Sequence, residues 1–225
     1  MTLLILAALL WVGLHIGVSG TRLRDQAVAR LGERGFMIAF SLGSIATIAL
    51  LVLAWRNAET EFLWSAPAWL RWILAFLMLP AFVLFMASHR RNPTAVGGKG
   101  LGEAPRGIQR VTRHPMLWSF AIWAAVHVLG NGDTASLVFF GAFLVTALAG
   151  MPSIDAKIAR RQPEAWGAFA ARTSILPFGA ILAGRNRLVP AEIGWMPPVV
   201  GFILWAALLH FHRGIFGVPA INSPF

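Results

Sequence analysis

The sequence of 225 residues contains no cysteine and no tyrosine, and only 12% of its side chains are charged. The absence of cysteine excludes a disulfide framework, a thiolate nucleophile and a Cys-ligated zinc site. The absence of tyrosine removes phenols from any acid–base chemistry. Soluble domains carry about 25% charged residues, so this composition excludes a soluble enzyme and a disordered chain.

Long apolar runs make up most of the sequence, of which 57% is hydrophobic. A bilayer core of about 30 Å requires roughly 20 mostly apolar residues per helix. Six stretches meet or nearly meet this length, and we expect each to be a transmembrane helix: 3–18, 36–55, 69–87, 116–129, 135–151 and 195–211. The sequence therefore predicts an all-α, polytopic membrane helix bundle that forms a single domain over residues 1–225.

The basic residues are distributed unevenly along a chain whose net charge is +10. All of the 19 lysines and arginines except Arg56, Arg71 and Arg213 lie in loops 19–35, 88–115 and 152–194. Cytoplasmic loops collect lysine and arginine, which predicts a bacterial inner-membrane protein with both termini in the periplasm. Because the basic loops are short and tied to spans, we assign their charge to membrane lipid headgroups and expect no nucleic-acid partner.

Two of the cytoplasmic loops are more than simple connectors. Glycine and proline are dense in loop 92–115, which excludes a long helix there. The loop between the fifth and sixth spans contains an amphipathic helix, 154–171, with Trp166 and Phe169 on its apolar side. Such a helix is typical of the headgroup boundary, and it could also form a lid over a site that opens to the cytoplasm.

Two histidines, His15 and His127, lie inside predicted spans. Each has a tryptophan one turn earlier on the same helical face, Trp11 and Trp123, and small residues nearby. Polar side chains at bilayer depth require partners and are candidates for function. Since haem iron takes axial histidine ligands, we predict that His15 and His127 ligate haem b and that both tryptophans shape its pocket. The alternative is that each histidine bonds to a neighbouring helix.

The other histidines occupy the predicted membrane boundaries. Arg113 and His114 precede a proline that suits the first turn of the fourth span. They either mark this helix start or contact the propionates of the cofactor. His89 is expected to be a basic loop residue, whereas a metal or proton-relay role stays open for His210 or His212 near the outer interface.

Six short motifs follow one another in a specific order, at 14–19, 31–34, 92–93, 110–116, 125–133 and 172–178. In order and spacing they resemble the NnrU family over roughly residues 1–209. The resemblance implies a role alongside denitrification and nitric oxide reductase. The family also includes zeta-carotene isomerase, a membrane protein that uses haem b in a cis-to-trans isomerisation of a lipophilic substrate. Its two matched histidines fall on His15 and His127, whereas its cysteine falls on Ala124.

Two alternative functions remain open. The Arg113-His114-Pro115 element also resembles, less closely than the NnrU motifs do, an element of isoprenylcysteine carboxyl methyltransferases and phospholipid methyltransferases. That similarity implies methyl transfer from S-adenosylmethionine, or a shared fold without shared chemistry. The other alternative is a non-catalytic assembly factor for nitric oxide reductase. The leading hypothesis is a haem-dependent isomerase or oxidoreductase.

Overall fold

The computed structural model describes residues 1–90, 92–95, 98 and 100–221. In this part of the chain every regular element is a helix, which confirms the predicted all-α class. The elements are α1 (Thr2–Val12, continued by a π-helical turn Gly13–Val18), α2 (Arg22–Arg56), α3 (Ala68–Ala87), α4 (Ile108–Val111), α5 (Pro115–Asn131), α6 (Thr134–Arg161), α7 (Pro163–Ala171), α8 (Gly179–Leu182), α9 (Pro190–Ile193) and α10 (Met196–Phe216).

The six predicted spans correspond to the six apolar helices α1, α2, α3, α5, α6 and α10. Four of these, α2, α3, α6 and α10, are long and apolar enough to cross a membrane by length and composition. The stretch Thr2–Val18 and the 17-residue α5 are shorter apolar helices. The chain is therefore a helical membrane bundle.

Helix α6 occupies the centre of the bundle. It packs against α5 on one side and α1 on the other, while α1 also packs against α2. Helix α3 packs against both α5 and α10. The largest buried cluster joins α1, α2, α5 and α6 around Leu4, Leu51, Ala124 and Phe140. Small side chains such as Ala124 let these helices approach closely, which is how helices associate in lipid.

Helix α2 contains a sharp bend at Gly32, whose φ of 71° and ψ of 165° are not helical. Glycine adopts positive φ without the steric penalty of a Cβ atom. The bend separates a short basic helical piece from the apolar span. Residues 22–31, which the charge pattern placed in a loop, are therefore helical. The buried Arg24 bonds Glu33 across the bend, and its guanidinium lies 5.0 Å from the Phe36 ring centre.

The three basic loops meet at one end of the bundle, which we call the basic end. Ser153 Oγ donates to Gly20 O at 3.3 Å, and Arg161 pairs with Asp25 at 3.0 Å. At the opposite end, Thr60 Oγ1 donates to Asp133 Oδ1 at 2.8 Å, beside the α5–α6 turn. The alternation of charge along the sequence thus matches two distinct ends of the structure.

The predicted amphipathic helix 154–171 is not one helix. Helix α6 continues through Pro152 to Arg161, and a separate helix, α7, begins at Pro163. The break falls at Gln162, because the residue before a proline is disfavoured in helical conformation. The aromatic side of α7 is packed inside the protein, since Trp166 and Phe169 are buried.

Helix α10 is fixed to α3 at a close crossing. A Cβ atom on Gly201 would lie 3.0 Å from the backbone nitrogen of Val83. One turn later, Trp205 Nε1 donates to Ala75 O at 2.7 Å. By contrast, a Cβ atom on Gly214 of the same helix would meet nothing within 4 Å.

We expect Gly201→Leu to lower the free energy of unfolding by about 1–3 kcal/mol, the usual cost of overpacking, relative to the matched control Gly214→Leu. Both substitutions gain the same helix propensity. The difference between their free energies of unfolding therefore measures the effect of the α3–α10 contact alone. Thermal unfolding in detergent, followed by tryptophan fluorescence, measures it. Equal stability of the two variants would show that α10 does not depend on this contact.

Candidate functional site

At the basic end, Arg113 and His114 share one carboxylate. Arg113 donates to Asp155 Oδ2 through Nε at 2.9 Å and Nη2 at 2.5 Å, and His114 Nε2 lies 2.7 Å from Asp155 Oδ1. The guanidinium also lies 5.5 Å from the Trp166 ring centre. Asp155 belongs to the part of α6 that extends beyond the predicted span. This extension of α6 therefore supplies the carboxylate partner of Arg113 and His114, which the sequence alone did not identify.

Neighbouring polar side chains bind the segment that follows α7. Thr112 Oγ1 and Trp118 Nε1 both donate to Ile175 O, at 2.7 and 2.8 Å. The His114 side chain is 0% exposed, and its Nδ1 has no hydrogen-bond partner in the described part of the chain. The motif thus fastens the start of α5 to α6 and to the segment after α7. The suggested contact of Arg113 and His114 with haem propionates stays a prediction.

The α4–α9 contact beside this cluster is also ionic. Arg110 donates to Glu192 through Nε at 2.7 Å and Nη2 at 2.9 Å, and Gly107 N donates to the same carboxylate at 2.8 Å. The hydrogen bond from Arg110 lowers the pKa of Glu192 to about 2. Gly107 and Glu192, with Arg90, border a cavity of about 230 Å³ at the basic end. Glu192 is therefore an anion at any ordinary pH and fixes α9 in place.

His15 lies in the π-helical turn that continues α1. Its Nδ1 is 2.9 Å from Trp11 O, and its ring centre is 3.9 Å from the centre of Trp11 and 5.3 Å from that of Phe40. Trp11 Nε1 is buried without a hydrogen-bond partner among the described residues. Single π-helical turns are frequent at functional sites, so this position remains a candidate for function.

His127 lies on α5 in a second aromatic environment. Its Nδ1 is 2.7 Å from Trp123 O, and its ring stacks on Phe140 at 4.7 Å between centres. The Trp123 ring centre is 5.2 Å away. Both predicted tryptophan–histidine pairs are therefore in contact, as one-turn spacing on a helix requires.

The rings of His15 and His127 make no direct contact among the described residues, and their joint ligation of haem stays a prediction. Trp11 contacts Phe143 of α6 at 4.9 Å, and Phe143 contacts Trp123 at 5.3 Å, so these three rings connect one histidine to the other. His15 lies three residues before Val18, where its turn ends at the basic end, and His127 lies four residues before Asn131, where α5 ends at the opposite end. The two histidines therefore lie nearer to opposite ends of the bundle.

The histidine nearest His127 is His212 on α10. Their ring centres are 6.4 Å apart, and the ring planes are inclined by 24°. His212 Nδ1 is 2.7 Å from Val218 O, in the segment that follows α10. The sequence left the role of His212 open because a long separation along the chain does not reveal that α5 and α10 lie side by side on α3.

A cavity of about 160 Å³ is lined by both of these histidines. Its walls come from α3, α5, α10 and the segment after α10, and they are mainly apolar. Trp123, Trp205 and Phe216 contribute aromatic surface to the cavity. Arg71 contributes a guanidinium cation. The cavity is therefore a mainly apolar pocket that carries two imidazoles and one guanidinium on its walls.

The comparisons with known proteins identify the family. A family model described as NnrU protein matches residues 3–220. The chain belongs to the NnrU family. The resemblance found in the order of the short motifs is thereby confirmed.

Two relatives of this NnrU-family chain have names that state an activity. The "15-cis-zeta-carotene isomerase, chloroplastic" of Zea mays is 27% identical over 194 residues, which are 82% of this chain and 52% of the relative. The protein of the same name from Arabidopsis thaliana is 25% identical over 196 residues, with the same two coverages. The chain thus spans about half the length of these relatives. No solved structure matches it significantly.

We expect Asp155→Asn to lower the free energy of unfolding by about 3–5 kcal/mol, because it leaves a buried cation without its counter-charge. The side chains of Arg113 and Asp155 are each only 13% exposed. The control is Asp25→Asn, since Asp25 is 51% exposed and pairs with Arg161 at the same end. An exposed pair contributes at most about 1 kcal/mol. Chemical unfolding in detergent compares the two, and a loss no larger than that of the control would contradict the proposed anchoring role.

Proposed function

We propose that this NnrU-family chain is a membrane isomerase that binds haem b and acts on a cis double bond of a long, conjugated, lipophilic substrate. The proposal draws on the two relatives named 15-cis-zeta-carotene isomerase. The reaction rotates one carbon–carbon double bond and neither adds nor removes atoms or electrons. The observation that carries it is the position of His127, which has a fixed imidazole beside an apolar cavity in the membrane-embedded part of the bundle.

The side chains around His127 suit haem chemically. In metal sites, a ligating histidine commonly donates its second ring N–H to a carbonyl, which fixes the ring and its tautomer. His127 Nδ1 has such a carbonyl partner in Trp123 O, so Nε2 is the nitrogen left for a metal. Trp123 and Phe140 pack on the ring. Bound haem supplies a redox-active iron next to the double bond.

The remaining residues of the cavity bind and orient the substrate. Apolar walls from α3, α5 and α10 favour a hydrocarbon and exclude water, which is the usual composition of small-molecule sites. A polyene reaches these walls from the bilayer without crossing an aqueous phase. In this proposal the membrane lipids therefore surround the protein, and the substrate enters from among them.

The surroundings of the protein are part of the same proposal. We place the chain in a bacterial inner membrane with its basic end in the cytoplasm, since cytoplasmic loops collect lysine and arginine. An association with nitric oxide reductase and a role in denitrification stay predictions from the family resemblance. Methyl transfer through Arg113 and His114 is not favoured, because both side chains bind Asp155 within the protein.

The experiment is to express the protein with added haem, purify it in detergent and record its absorption spectrum. The isomer ratio of added 15-cis-zeta-carotene is then followed by chromatography. We expect a Soret band and conversion of the cis isomer. His127→Ala is expected to reduce both at least tenfold, because the proposed ligand is lost.

His210→Ala is the matched control, since His210 is an exposed histidine near the same end of the bundle. It should keep the band and the conversion of the unmodified protein. A colourless protein after expression with ample haem would contradict the proposed cofactor. Full haem content in His127→Ala would contradict the proposed role of this histidine.

A further inference from the structure

We infer that the cavity at the basic end, which Arg90, Arg106 and Glu192 border, binds the phosphate group of a membrane phospholipid. The two arginines hold the phosphate oxygens. This site is separate from the surroundings of His127, and lipid binding there requires neither haem nor isomerase activity. The position of the cavity, the charges on its wall and its volume support the inference.

The cavity lies where two membrane-spanning helices end. Ala87, the last residue of α3, borders it, and Arg90 follows shortly after that helix end. Glu192 and Ile193 of α9 also border the cavity, and α10 begins close by at Met196. Helices α3 and α10 are both long and apolar enough to cross a membrane. The cavity is therefore near the level of the lipid headgroups, which flank the hydrocarbon core.

Exposed apolar side chains next to the cavity indicate the same level. Trp195, which follows α9 directly, is 76% exposed, and its neighbour Met196 is exposed as well. Leu188, just before α9, is also exposed. Tryptophan is enriched where the bilayer meets water. A lipid whose headgroup enters the cavity therefore has apolar protein surface beside its acyl chains.

The two arginines on the cavity wall form no ion pair with a carboxylate in the part of the chain that the structure describes. Arg90 Nη1 donates to Ile193 O at 3.4 Å, which is long for a hydrogen bond. Glu192 borders the cavity, but Arg110 binds it. With Glu103 on the same wall, three guanidinium groups accompany two carboxylates. The surroundings of the cavity therefore carry an excess of positive charge.

The size of the cavity suits a small anionic group. Its volume is about 230 Å³, less than the roughly 300–1,000 Å³ of sites that enclose a drug-sized ligand. A lipid headgroup needs only this smaller space, because its acyl chains stay in the bilayer. Arginine binds phosphate through paired, charge-assisted hydrogen bonds. Since Arg90 follows α3 and Arg106 precedes α4, a phosphate bound to both also links these two segments.

Lipids and soluble phosphates present the same chemical group to these arginines, and two features favour a lipid. The exposed side chains of Trp195 and Met196 offer a contact surface to acyl chains, which an inorganic ion cannot use. Anionic lipids also attract lysine and arginine to the cytoplasmic surface of a membrane, where we place the basic end. The bilayer is therefore the source of the phosphate in this inference.

The test is native mass spectrometry of the full chain in detergent micelles with added phosphatidylglycerol, which the unmodified protein is expected to retain. Arg90→Gln combined with Arg106→Gln should raise the dissociation constant at least about tenfold, because the charge-assisted hydrogen bonds to the phosphate are lost. The matched control is Arg22→Gln combined with Arg30→Gln. It removes the same charge from two exposed arginines at the same end and should leave the dissociation constant nearly unchanged.

A third variant keeps the test decisive if the glutamine pair unfolds the bundle, which thermal unfolding in the same detergent reveals. Arg90→Lys combined with Arg106→Lys preserves the charge but not the paired hydrogen bonds, so we expect weaker binding than in the unmodified protein. Unchanged affinity in this variant, or equal losses in the glutamine pair and its control, would overturn the inference. Displacement of the lipid by inorganic phosphate at the same concentration would overturn the choice of a lipid. None of these results bears on the proposed haem binding.

Discussion

The structure of both histidine environments depends on how an imidazole is hydrogen-bonded inside the bilayer, where no water is available. Polar groups inside a bilayer require partners from the protein. His15 and His127 each meet this requirement with the carbonyl oxygen of the tryptophan four residues earlier. That bond fixes the ring on its own helix and leaves Nε2 without a partner in the described chain. A histidine in this state is prepared to bind a further group, and packing by Trp11 or Trp123 limits where that group can lie.

The positions of the two candidate sites follow from the order of helices. Helix α6 separates α1 from α5, so its aromatic residue Phe143 stands between the environments of His15 and His127. Helix α3 carries both α5 and α10, which places His212 beside His127. The bundle thus places the rings of His127 and His212 next to each other although the two residues are far apart along the chain.

Much of the fold was predictable from local patterns. Apolar runs located the six long helices, the basic loops located one end, and one-turn spacing predicted the contacts of Trp11 with His15 and of Trp123 with His127. The sequence could not predict which helices would be neighbours, because in lipid the contacts depend on the shapes of facing side chains. For the same reason the sequence did not reveal the ion-pair partner of Arg113. That partner is Asp155, which reaches Arg113 because α6 continues beyond the membrane span.

The most direct measurement is the structure of the haem-loaded protein in a lipid nanodisc, determined by electron microscopy. The expected result is haem bound through Nε2 of His127, beside the cavity that α3, α5 and α10 line. Haem that does not contact His127, or a bundle without haem density, would contradict the proposed function.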